Sequence, residues 1–387
     1  MSRVLVISNE CFETKSANGY CLENIVKQMG KENIICDVIT FGEISKKDNV
    51  SNNITVEYVK SNVYSSTKRN FFLRNIYRCI YKFTYELILP DISIISAKKM
   101  YKCLETRCKQ NKYDLIISSS GGFVSQIVSL KIAKKMGIRL VPIYLDPPPS
   151  KNFLYKKNKL YYNWVIENEN EIFKCSDSVV MESNLYNYYS KKYANVKETG
   201  IPLLIEHKQP NRNINGKQVF FIGTLWKEIR NPKYAIELLQ GKCGMQLSFW
   251  GKEDSTKAVL DDLGQTELYS GCLRHEEIPE VMANADYLLN ISNVNSIQTP
   301  SKLFEYMAYG KPIINIVKDE NDKTIDVINK YGNGVSLVEG DEKNYEIVEK
   351  FMRTHKSKMD FSEIRNNFEI NTPEYTVKII KEILAKI

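Results

Sequence analysis

The sequence predicts an α/β protein made of two doubly wound domains, each with a mostly parallel sheet between two layers of helices. Its length of 387 residues suggests two domains. Short apolar runs and helical segments alternate along the whole chain, as they do in parallel sheets. A polar stretch without periodicity, "IEHKQPNRNINGK", interrupts this alternation once. We therefore expect a first domain at 1–203, a linker at 204–217 and a second domain at 218–371.

The apolar runs of the first domain predict buried strands, because they are too apolar to face water. These runs are "RVLVISN", "IICDVIT", "ITVEYV", "YDLIISSS", "RLVPIYLD", "SVVMES" and "VKETGIP". Helical segments are expected near 19–29, 68–89, 92–110, 122–136, 151–175 and 184–193. After the linker, strands are predicted at "QVFFIGT", "MQLSFWG", "ELYSGCL", "YLLNIS", "KPIINIV" and "GVSLV". The last segment, "TPEYTVKIIKEILAKI", opens with a capping Thr and a Pro and then has the apolar spacing of a helix.

Composition excludes several classes of protein. No apolar run approaches the ~20 residues of a membrane span, and "MSRVLVISN" lacks the features of a secretory signal. The nine cysteines are scattered without a C-x-x-C pair, which is typical of reduced, cytoplasmic proteins. Only three histidines are present, His207, His275 and His355, and no D-x-D occurs. We expect neither a metal site nor a cofactor.

The net charge of +8 is concentrated in one stretch, 68–112, which holds eleven Lys or Arg against three Asp or Glu. Arg74, Arg78 and Lys82 are four residues apart and would form one stripe of a helix, with aromatic and aliphatic residues on another side. One interpretation is a helix lying on an anionic membrane surface. The alternative is a basic helix face in water. No nucleic-acid-binding module accompanies the stripe, so we expect no nucleic acid partner.

Ligands of doubly wound sheets bind at the carboxyl ends of the strands, and here the two sheets are expected to face each other across a cleft. Gly-containing turns follow three predicted strands: "NGY" with Gly19, "SGGF" with Gly121 and Gly122, and "FIGTL" with Gly223. Such turns let backbone N–H groups approach an anion, although tight turns also use Gly for steric reasons. Arg230, in the loop after Gly223, is suited to hold a diphosphate with two parallel hydrogen bonds.

The stretch "QTPSKLFEYMAYGKPIIN" predicts a helix that starts at Pro300, ends at Gly310 and leads into a buried strand. Ser301 and Lys302 present free N–H groups at the positive end of the helix dipole. A diphosphate would lie between this helix start and Arg230. Glu305, one turn further on, would then accept hydrogen bonds from both ribose hydroxyls. The alternative for Glu305 is a solvated ion pair with Lys302.

These motifs resemble a known family. "GTL…RNP", followed about seventy residues later by "PSKLFEYMAYGKPI", resembles the donor domain of GT-B nucleotide-sugar glycosyltransferases, especially glycosyltransferase family 4. In the first half, "LILPD", "YDLIISSS" and "IYLDPP" are similar to enzymes that build bacterial surface polysaccharides. The resemblance implies a GT-B fold, with the nucleotide sugar on the second domain and the acceptor on the first. It also implies that the final helix, 372–387, returns to the first domain.

The resemblance also implies roles for individual residues. It makes Glu305 the ribose ligand and Arg230 the diphosphate ligand. The full set expected to bind the nucleotide sugar is Gly19, Gly223, Thr224, Arg230, Gln298, Thr299, Pro300, Ser301, Lys302, Leu303 and Glu305. Gly121, Gly122 and Asp146 are expected on the acceptor side.

The chain departs from the family pattern at three places. Ile297 stands where the family has an acid that contacts the donor sugar, and Thr224 stands where it has an Arg. The first domain has no His before His207. Without D-x-D, Arg230, Lys302 and the helix start would stabilise the leaving diphosphate in place of a metal. A retaining reaction needs no carboxylate nucleophile, whereas an inverting one needs a general base, for which Asp146 is the candidate. Asp146 could equally cap the Pro-rich turn that follows it.

We therefore expect a metal-independent, retaining glycosyltransferase that moves a sugar from a nucleoside-diphosphate sugar to a saccharide acceptor. The basic stretch favours a lipid-linked acceptor in bacterial surface glycan assembly, with the enzyme at the inner membrane face. Two alternatives stay open. One is a hydrolase or epimerase on the same two-domain plan. The other is a catalytically inactive partner subunit, which the missing acid at 297 favours.

Overall fold

A computed structural model of the chain shows two compact units. Unit 1 comprises Met1–Pro202 and Ile370–Ile387, and unit 2 comprises Leu203–Glu369. The residues that the structure describes are 1–13, 16–60, 94–119, 123–151, 159–207, 216–228, 230–293 and 301–386.

Each unit is built on one sheet. The eight strands of unit 1 are β1 Arg3–Ile7, β2 Ile35–Gly42, β3 Lys46–Ser51, β4 Ile54–Lys60, β5 Leu115–Ser119, β6 Arg139–Tyr144, β7 Val179–Glu182 and β8 Val196–Thr199. The six strands of unit 2 are β9 Gln218–Ile222, β10 Gln246–Trp250, β11 Tyr269–Gly271, β12 Tyr287–Ile291, β13 Ile313–Val317 and β14 Gly334–Val338. All pairs are parallel except the pair of β3 with β4.

Helices connect the strands. In unit 1 these are α1 Ala17–Lys31, α2 Ile94–Gln110, α3 Phe123–Met136, α4 Lys159–Cys175 and α5 Ser183–Tyr189. In unit 2 they are α6 Lys233–Ala235 with a π-helical turn Ile236–Lys242, α7 Ala258–Asp262, α8 Ile278–Asn284, α9 Ser301–Ala308, α10 Thr324–Tyr331, α11 Asn344–Thr354 and α12 Phe361–Asn367. The last helix, α13 Pro373–Leu384, belongs to unit 1.

The strand orders place a switch point in each sheet. Unit 1 has the order β3-β4-β2-β1-β5-β6-β7-β8, and unit 2 has the order β11-β10-β9-β12-β13-β14. In unit 1 the chain adds strands on one side of β1 and then, from β5 onward, on the other side. In unit 2 it adds strands on one side of β9 and then, from β12 onward, on the other side. A crevice forms at the carboxyl ends of the two strands where the direction reverses. The candidate site of unit 2 is thus expected between the ends of β9 and β12.

The buried strands pack as the apolar runs predicted. In unit 2 all five residues of β12 and of β13 are buried, and they share a core with Phe221, Leu239 and Phe249. This burial explains why the strands carry continuous apolar runs rather than an alternation. The prediction of two doubly wound α/β sheets is confirmed.

The last helix packs on unit 1 through specific contacts. Thr372 caps it, because its Oγ1 accepts a hydrogen bond from the N–H of Tyr375 at 3.2 Å. The hydroxyls of Thr376 and Thr199 lie 2.7 Å apart in the core. Arg139 Nη1 donates to the carbonyl of Ile383 at 3.0 Å, which satisfies a free carbonyl near the helix end.

Two elements differ from the prediction. β3, "KKDNVS", was not predicted, because its residues are mostly polar and it forms an exposed antiparallel edge beside β4. The helix expected at 184–193 ends at Tyr189, and 191–192 form a turn. The predicted helix at 68–89 and most of the predicted linker, 208–215, lie outside the described residues. In the described part of the chain, no helix is long and apolar enough to cross a membrane.

Candidate functional site

The end of β9 is held tightly against its neighbour strand. The N–H of Gly223 donates to the carbonyl of Trp250 at 2.9 Å, and the carbonyl of Gly223 accepts from Thr256 Oγ1 at 2.8 Å. Gly251 packs so closely here that a Cβ on it would lie 2.1 Å from the carbonyl oxygen of Gly223. Only glycine fits that approach. The backbone that leaves β9 is therefore fixed where it reaches the crevice.

Arg230 spans the switch point of unit 2. Its Nε donates to Asn293 Oδ1 at 3.0 Å, and its Nη1 lies 3.4 Å from the carbonyl oxygen of Thr224. Thr224 follows β9, and Asn293 follows β12. The backbone N–H of Arg230 also donates to the carbonyl of Trp226 at 2.7 Å, which closes a tight turn. The guanidinium is thus positioned between the two strand ends where ligands of this kind of sheet bind.

Among the described residues, the partners of the Arg230 side chain are neutral. Both side-chain hydrogen bonds go to neutral oxygens, and within the described residues it forms no ion pair with a carboxylate. Burial lowers the pKa of Arg230, and the nearby Tyr306 hydroxyl opposes that shift. An arginine nevertheless stays charged in a protein. A half-buried guanidinium whose described partners are neutral oxygens is suited to bind an anion.

Helix α9 is fastened directly to β9. The hydroxyl of Tyr306 accepts from the N–H of Ile222 at 3.0 Å and donates to the carbonyl of Ile222 at 3.1 Å. Tyr306 is buried, and burial raises its pKa, so its hydroxyl keeps the proton that it donates. This contact fixes the helix that carries Lys302 and Glu305 against the strand that leads to Gly223. The order of these residues in the sequence does not reveal this contact.

Lys302 and Glu305 form an ion pair on α9, with 2.5 Å between Lys302 Nζ and Glu305 Oε2. Their side chains are 31% and 15% exposed, so the carboxylate is partly accessible. The side chain of Leu303 is fully buried in the core and offers a ligand only its backbone. Ser301 begins the helix. Gln298, Thr299 and Pro300 lie outside the described residues.

In unit 1, the predicted acceptor-side residue Asp146 meets the turn that carries Gly19, which was predicted to bind the nucleotide sugar. Asp146 follows β6, and its Oδ2 accepts a hydrogen bond from the side-chain amide of Asn18. Asn18 and Gly19 form the first turn of α1, where the N–H of Gly19 donates to Ser16 Oγ at 3.3 Å. The "NGY" turn and the end of β6 are therefore joined. Gly121 and Gly122 lie outside the described residues.

The Pro-rich loop after Asp146 is anchored by a buried acid that the sequence did not single out. Glu169 of α4 accepts from the N–H of Ser150 at 2.9 Å and from its Oγ at 2.7 Å. The hydroxyl of Tyr162 donates to the carbonyl of Ser150 at 3.0 Å. Burial raises the pKa of Glu169, and the two hydrogen bonds from Ser150 oppose the shift. Glu169 thus fixes the loop that begins at Asp146.

Two further residues of unit 2 were missed. Asn293 follows the strand "YLLNIS", and the switch-point rule for doubly wound sheets indicates this position only once the strand order is known. Tyr306 directly follows Glu305 on α9, and as a buried aromatic residue it would have been assigned to the core. Among the described residues no group of three His, Cys, Asp or Glu is placed to hold a metal ion.

Comparison of the sequence with protein-family models and with curated proteins gives no match. Solved structures do match over the full length. Sucrose-phosphate synthase from Thermosynechococcus elongatus is 11% identical with a TM-score of 0.68, and 100% of each chain is covered. Anabaena HepE in complex with UDP is 14% identical with a TM-score of 0.63, again with 100% of each chain covered. WaaG, a glycosyltransferase involved in lipopolysaccharide biosynthesis, is 13% identical with a TM-score of 0.57, covering 97% of this chain and 99% of WaaG.

These similarities establish the GT-B fold for the whole chain, and the predicted fold class is confirmed. At such low identity they establish the fold alone. The same fold also occurs in the UDP-GlcNAc 2-epimerase from Methanocaldococcus jannaschii, which is 12% identical with a TM-score of 0.56 and is covered over 100% of its length, with 99% of this chain covered. The activity must therefore be argued from the site.

Proposed function

We propose that this protein is a glycosyltransferase that transfers a sugar from a nucleoside-diphosphate sugar to a saccharide acceptor. The observation that carries the proposal is Arg230, a half-buried guanidinium at the switch point of unit 2 whose side-chain partners in the described structure are neutral oxygens. A cation in that position favours an anionic ligand at the carboxyl ends of β9 and β12. HepE, which has the same fold, was solved in complex with UDP and with UDP-glucose.

In this proposal different residues of unit 2 bind the diphosphate and the ribose of the nucleotide. Arg230 and the start of α9 at Ser301 bind the diphosphate, with the close backbone of Gly223 and Thr224 beside it. Glu305 accepts from the ribose hydroxyls, and Lys302, released from Glu305, adds charge at the phosphates. Gln298, Thr299 and Pro300, which precede α9, complete the phosphate side. Leu303 keeps the helix in place through the core.

The chemistry needs charge stabilisation more than proton transfer to protein groups. When the bond between the sugar C1 and the diphosphate oxygen breaks, negative charge develops on the leaving group, where Arg230 and Lys302 stabilise it. In the retaining reaction that we propose, the acceptor oxygen bonds to C1 on the same face, and the acceptor proton passes to the leaving phosphate. No metal and no further cofactor take part. In an inverting reaction Asp146, oriented by Asn18, would take that proton instead.

We further propose that the acceptor is lipid-linked and that unit 1 binds it. The basic, aromatic stretch 68–112 belongs to unit 1 and would bring a cytoplasmic enzyme to the anionic inner membrane face. WaaG, which shares the fold, is described as involved in lipopolysaccharide biosynthesis. The reaction would then serve bacterial surface glycan assembly. Gly19, Gly121, Gly122 and Asp146 are the residues of unit 1 that we assign to the substrates.

The test is a panel of nucleotide sugars, beginning with uridine donors, followed by product analysis and by binding of the matching nucleoside diphosphate. Transfer to a saccharide acceptor or slow donor hydrolysis supports the proposal, and a 2-epimer as the sole product contradicts it. Nucleotide binding without any turnover would favour an inactive partner subunit. Arg230→Ala should weaken diphosphate binding about 10- to 150-fold, the range for losing hydrogen bonds to a charged group. Arg353→Ala, which removes an exposed arginine of α11, is the matched control.

A further inference from the structure

An unexpected row of polar residues crosses the sheet of unit 2. Asn290, Asn315 and Ser336 occupy one register position on β12, β13 and β14. Asn290 Nδ2 donates to Asn315 Oδ1 at 2.7 Å, and Asn315 Nδ2 donates to Ser336 Oγ at 3.0 Å. The two asparagines are 3% and 0% exposed. Asparagine is disfavoured in strands and costly to bury, so a purely apolar row would have been the simpler solution.

The row continues toward the carboxyl ends of the strands. Asn315 Nδ2 also donates to Thr324 Oγ1 at 3.0 Å, at the start of α10. The carboxylate of Asp322 then accepts from the N–H of Thr324 at 2.8 Å and from its Oγ1 at 2.6 Å. Its other oxygen accepts from the hydroxyl of Ser292. Asp322 is thereby oriented by three hydrogen bonds, and it restrains the residue that directly follows β12.

Ser292 connects this network to the candidate site. Its N–H donates to the carbonyl of Ile316 at 2.9 Å, and its hydroxyl is held by Asp322, so both ends of the residue are fixed. The next residue is Asn293, whose Oδ1 accepts from Arg230 Nε. Hydrogen bonds therefore lead from the interior of the sheet to Ser292, and the peptide bond from Ser292 to Asn293 continues the path to the guanidinium.

We infer that Asp322, Ser292 and Asn293 are positioning residues that hold the guanidinium of Arg230 in the orientation that receives the diphosphate. This inference rests on the proposed function. An arginine at the end of a flexible side chain loses rotamer freedom when it binds a ligand, and a fixed guanidinium has already lost it. The acceptor offered by Asn293 is neutral, so it orients the cation and leaves its charge for the ligand.

A double-mutant cycle tests the inference, with binding of UDP, GDP, CDP and ADP and of their monophosphates measured by calorimetry. Ser292→Ala and Asn293→Ala should each weaken binding of the tightest diphosphate about five-fold, the value of one neutral hydrogen bond. In an Arg230→Ala background neither should weaken it further. The effect should be smaller for the monophosphate. If Ser292→Ala weakens binding equally with and without Arg230, the path does not act through Arg230 and the inference fails.

Asn293→Asp separates positioning from a merely structural role. Aspartate keeps an acceptor for Arg230 Nε and adds a negative charge beside the guanidinium. We expect it to weaken diphosphate binding more than Asn293→Ala does, while thermal stability is retained. Unchanged affinity in this variant would overturn the inference.

Ser336→Ala is the matched control, because it removes one hydrogen bond at the far end of the row. It should leave diphosphate affinity unchanged, and equal loss of affinity in Ser336→Ala and Ser292→Ala would show a general structural effect. If Arg230→Ala itself leaves diphosphate affinity unchanged, or if none of the diphosphates binds, the proposed function fails and this inference fails with it. A failure confined to the Ser292 and Asn293 variants leaves the proposed function standing.

Discussion

Replacing Glu305 by Ala gives the sharpest test of how α9 recognises a nucleotide. In the structure the Glu305 carboxylate lies 2.5 Å from Lys302 Nζ, and its side chain is 15% exposed. The side chain is therefore mostly covered but is not fully buried in the core. Truncation removes an ion pair, and in the proposed function it also removes the acceptor for two ribose hydroxyls.

The two losses differ in size. A partly exposed ion pair between residues three apart on a helix contributes about 0.2–1 kcal/mol to stability. Hydrogen bonds to a charged group contribute about 1.5–3 kcal/mol to binding, which corresponds to about 10- to 150-fold in the dissociation constant. Glu305→Ala should therefore shift the thermal midpoint little and weaken binding of a ribonucleoside diphosphate strongly.

The assay is calorimetric titration of wild type and variant with a nucleoside diphosphate and with its 2′-deoxy form. Wild type should prefer the ribose form, and Glu305→Ala should lose that preference as well as affinity. Glu349→Ala is the matched control, because Glu349 pairs with Arg353 on the surface of α11 in the same unit. Equal affinities of wild type and Glu305→Ala for the ribose form would refute the ribose assignment. A preference for ribose that persists in the variant would place the diol elsewhere.

Three other predictions concern the metal, a buried acid and the membrane. Transfer activity should survive EDTA, because cationic side chains stabilise the leaving group; loss in EDTA that magnesium or manganese restores would contradict this. Burial raises the folded-state pKa of Glu169 above its ordinary value of 4.5, so its contribution to stability is complete below that pH and is lost as pH rises through the raised pKa. The thermal midpoint of wild type relative to Glu169→Gln should therefore fall as the pH rises above 4.5, and a constant difference would count against the shift. The protein should co-sediment with anionic liposomes at low salt and dissociate as salt rises, since each basic residue near the surface contributes about 1 kcal/mol. Changing Arg74, Arg78 and Lys82 to Glu should abolish this binding without affecting donor hydrolysis. These three residues lie outside the described part of the chain.

Much of the fold follows from the sequence because burial dictates composition. A strand covered on both faces is mostly apolar, and runs such as "IINIV", in which Asn315 is the one polar residue, therefore mark β13 and its neighbours directly. The edge strand β3 gave no such signal, because its sequence "KKDNVS" is mostly polar and suits a loop as well as an exposed strand. Helix ends were accurate where a cap was visible, as with Thr372.

The candidate site was only partly predictable, because its residues come together from loops far apart in the chain. Gly223, Arg230 and Glu305 carry local signals, namely a turn after a strand and a charge in an apolar helix. Asn293 meets Arg230 across 63 positions, and a hydrogen bond of that kind depends on strand order, which composition does not reveal. Glu169 was missed for a different reason: a lone Glu in a helix usually faces water, so nothing in the sequence marked it as buried.

The ion pair between Lys302 and Glu305 is compatible with the ribose assignment, although the sequence presented the two as alternatives. A carboxylate that is to accept two hydroxyls must be oriented, and a lysine one turn away orients it at the modest energy of a partly exposed pair. In the proposed function, nucleotide binding replaces this ion pair by two stronger sets of contacts. Glu305 then accepts hydrogen bonds from the ribose hydroxyls, and Lys302 contacts the phosphates. The exchange is favourable because hydrogen bonds between charged groups and a bound ligand exceed the energy of a solvated pair.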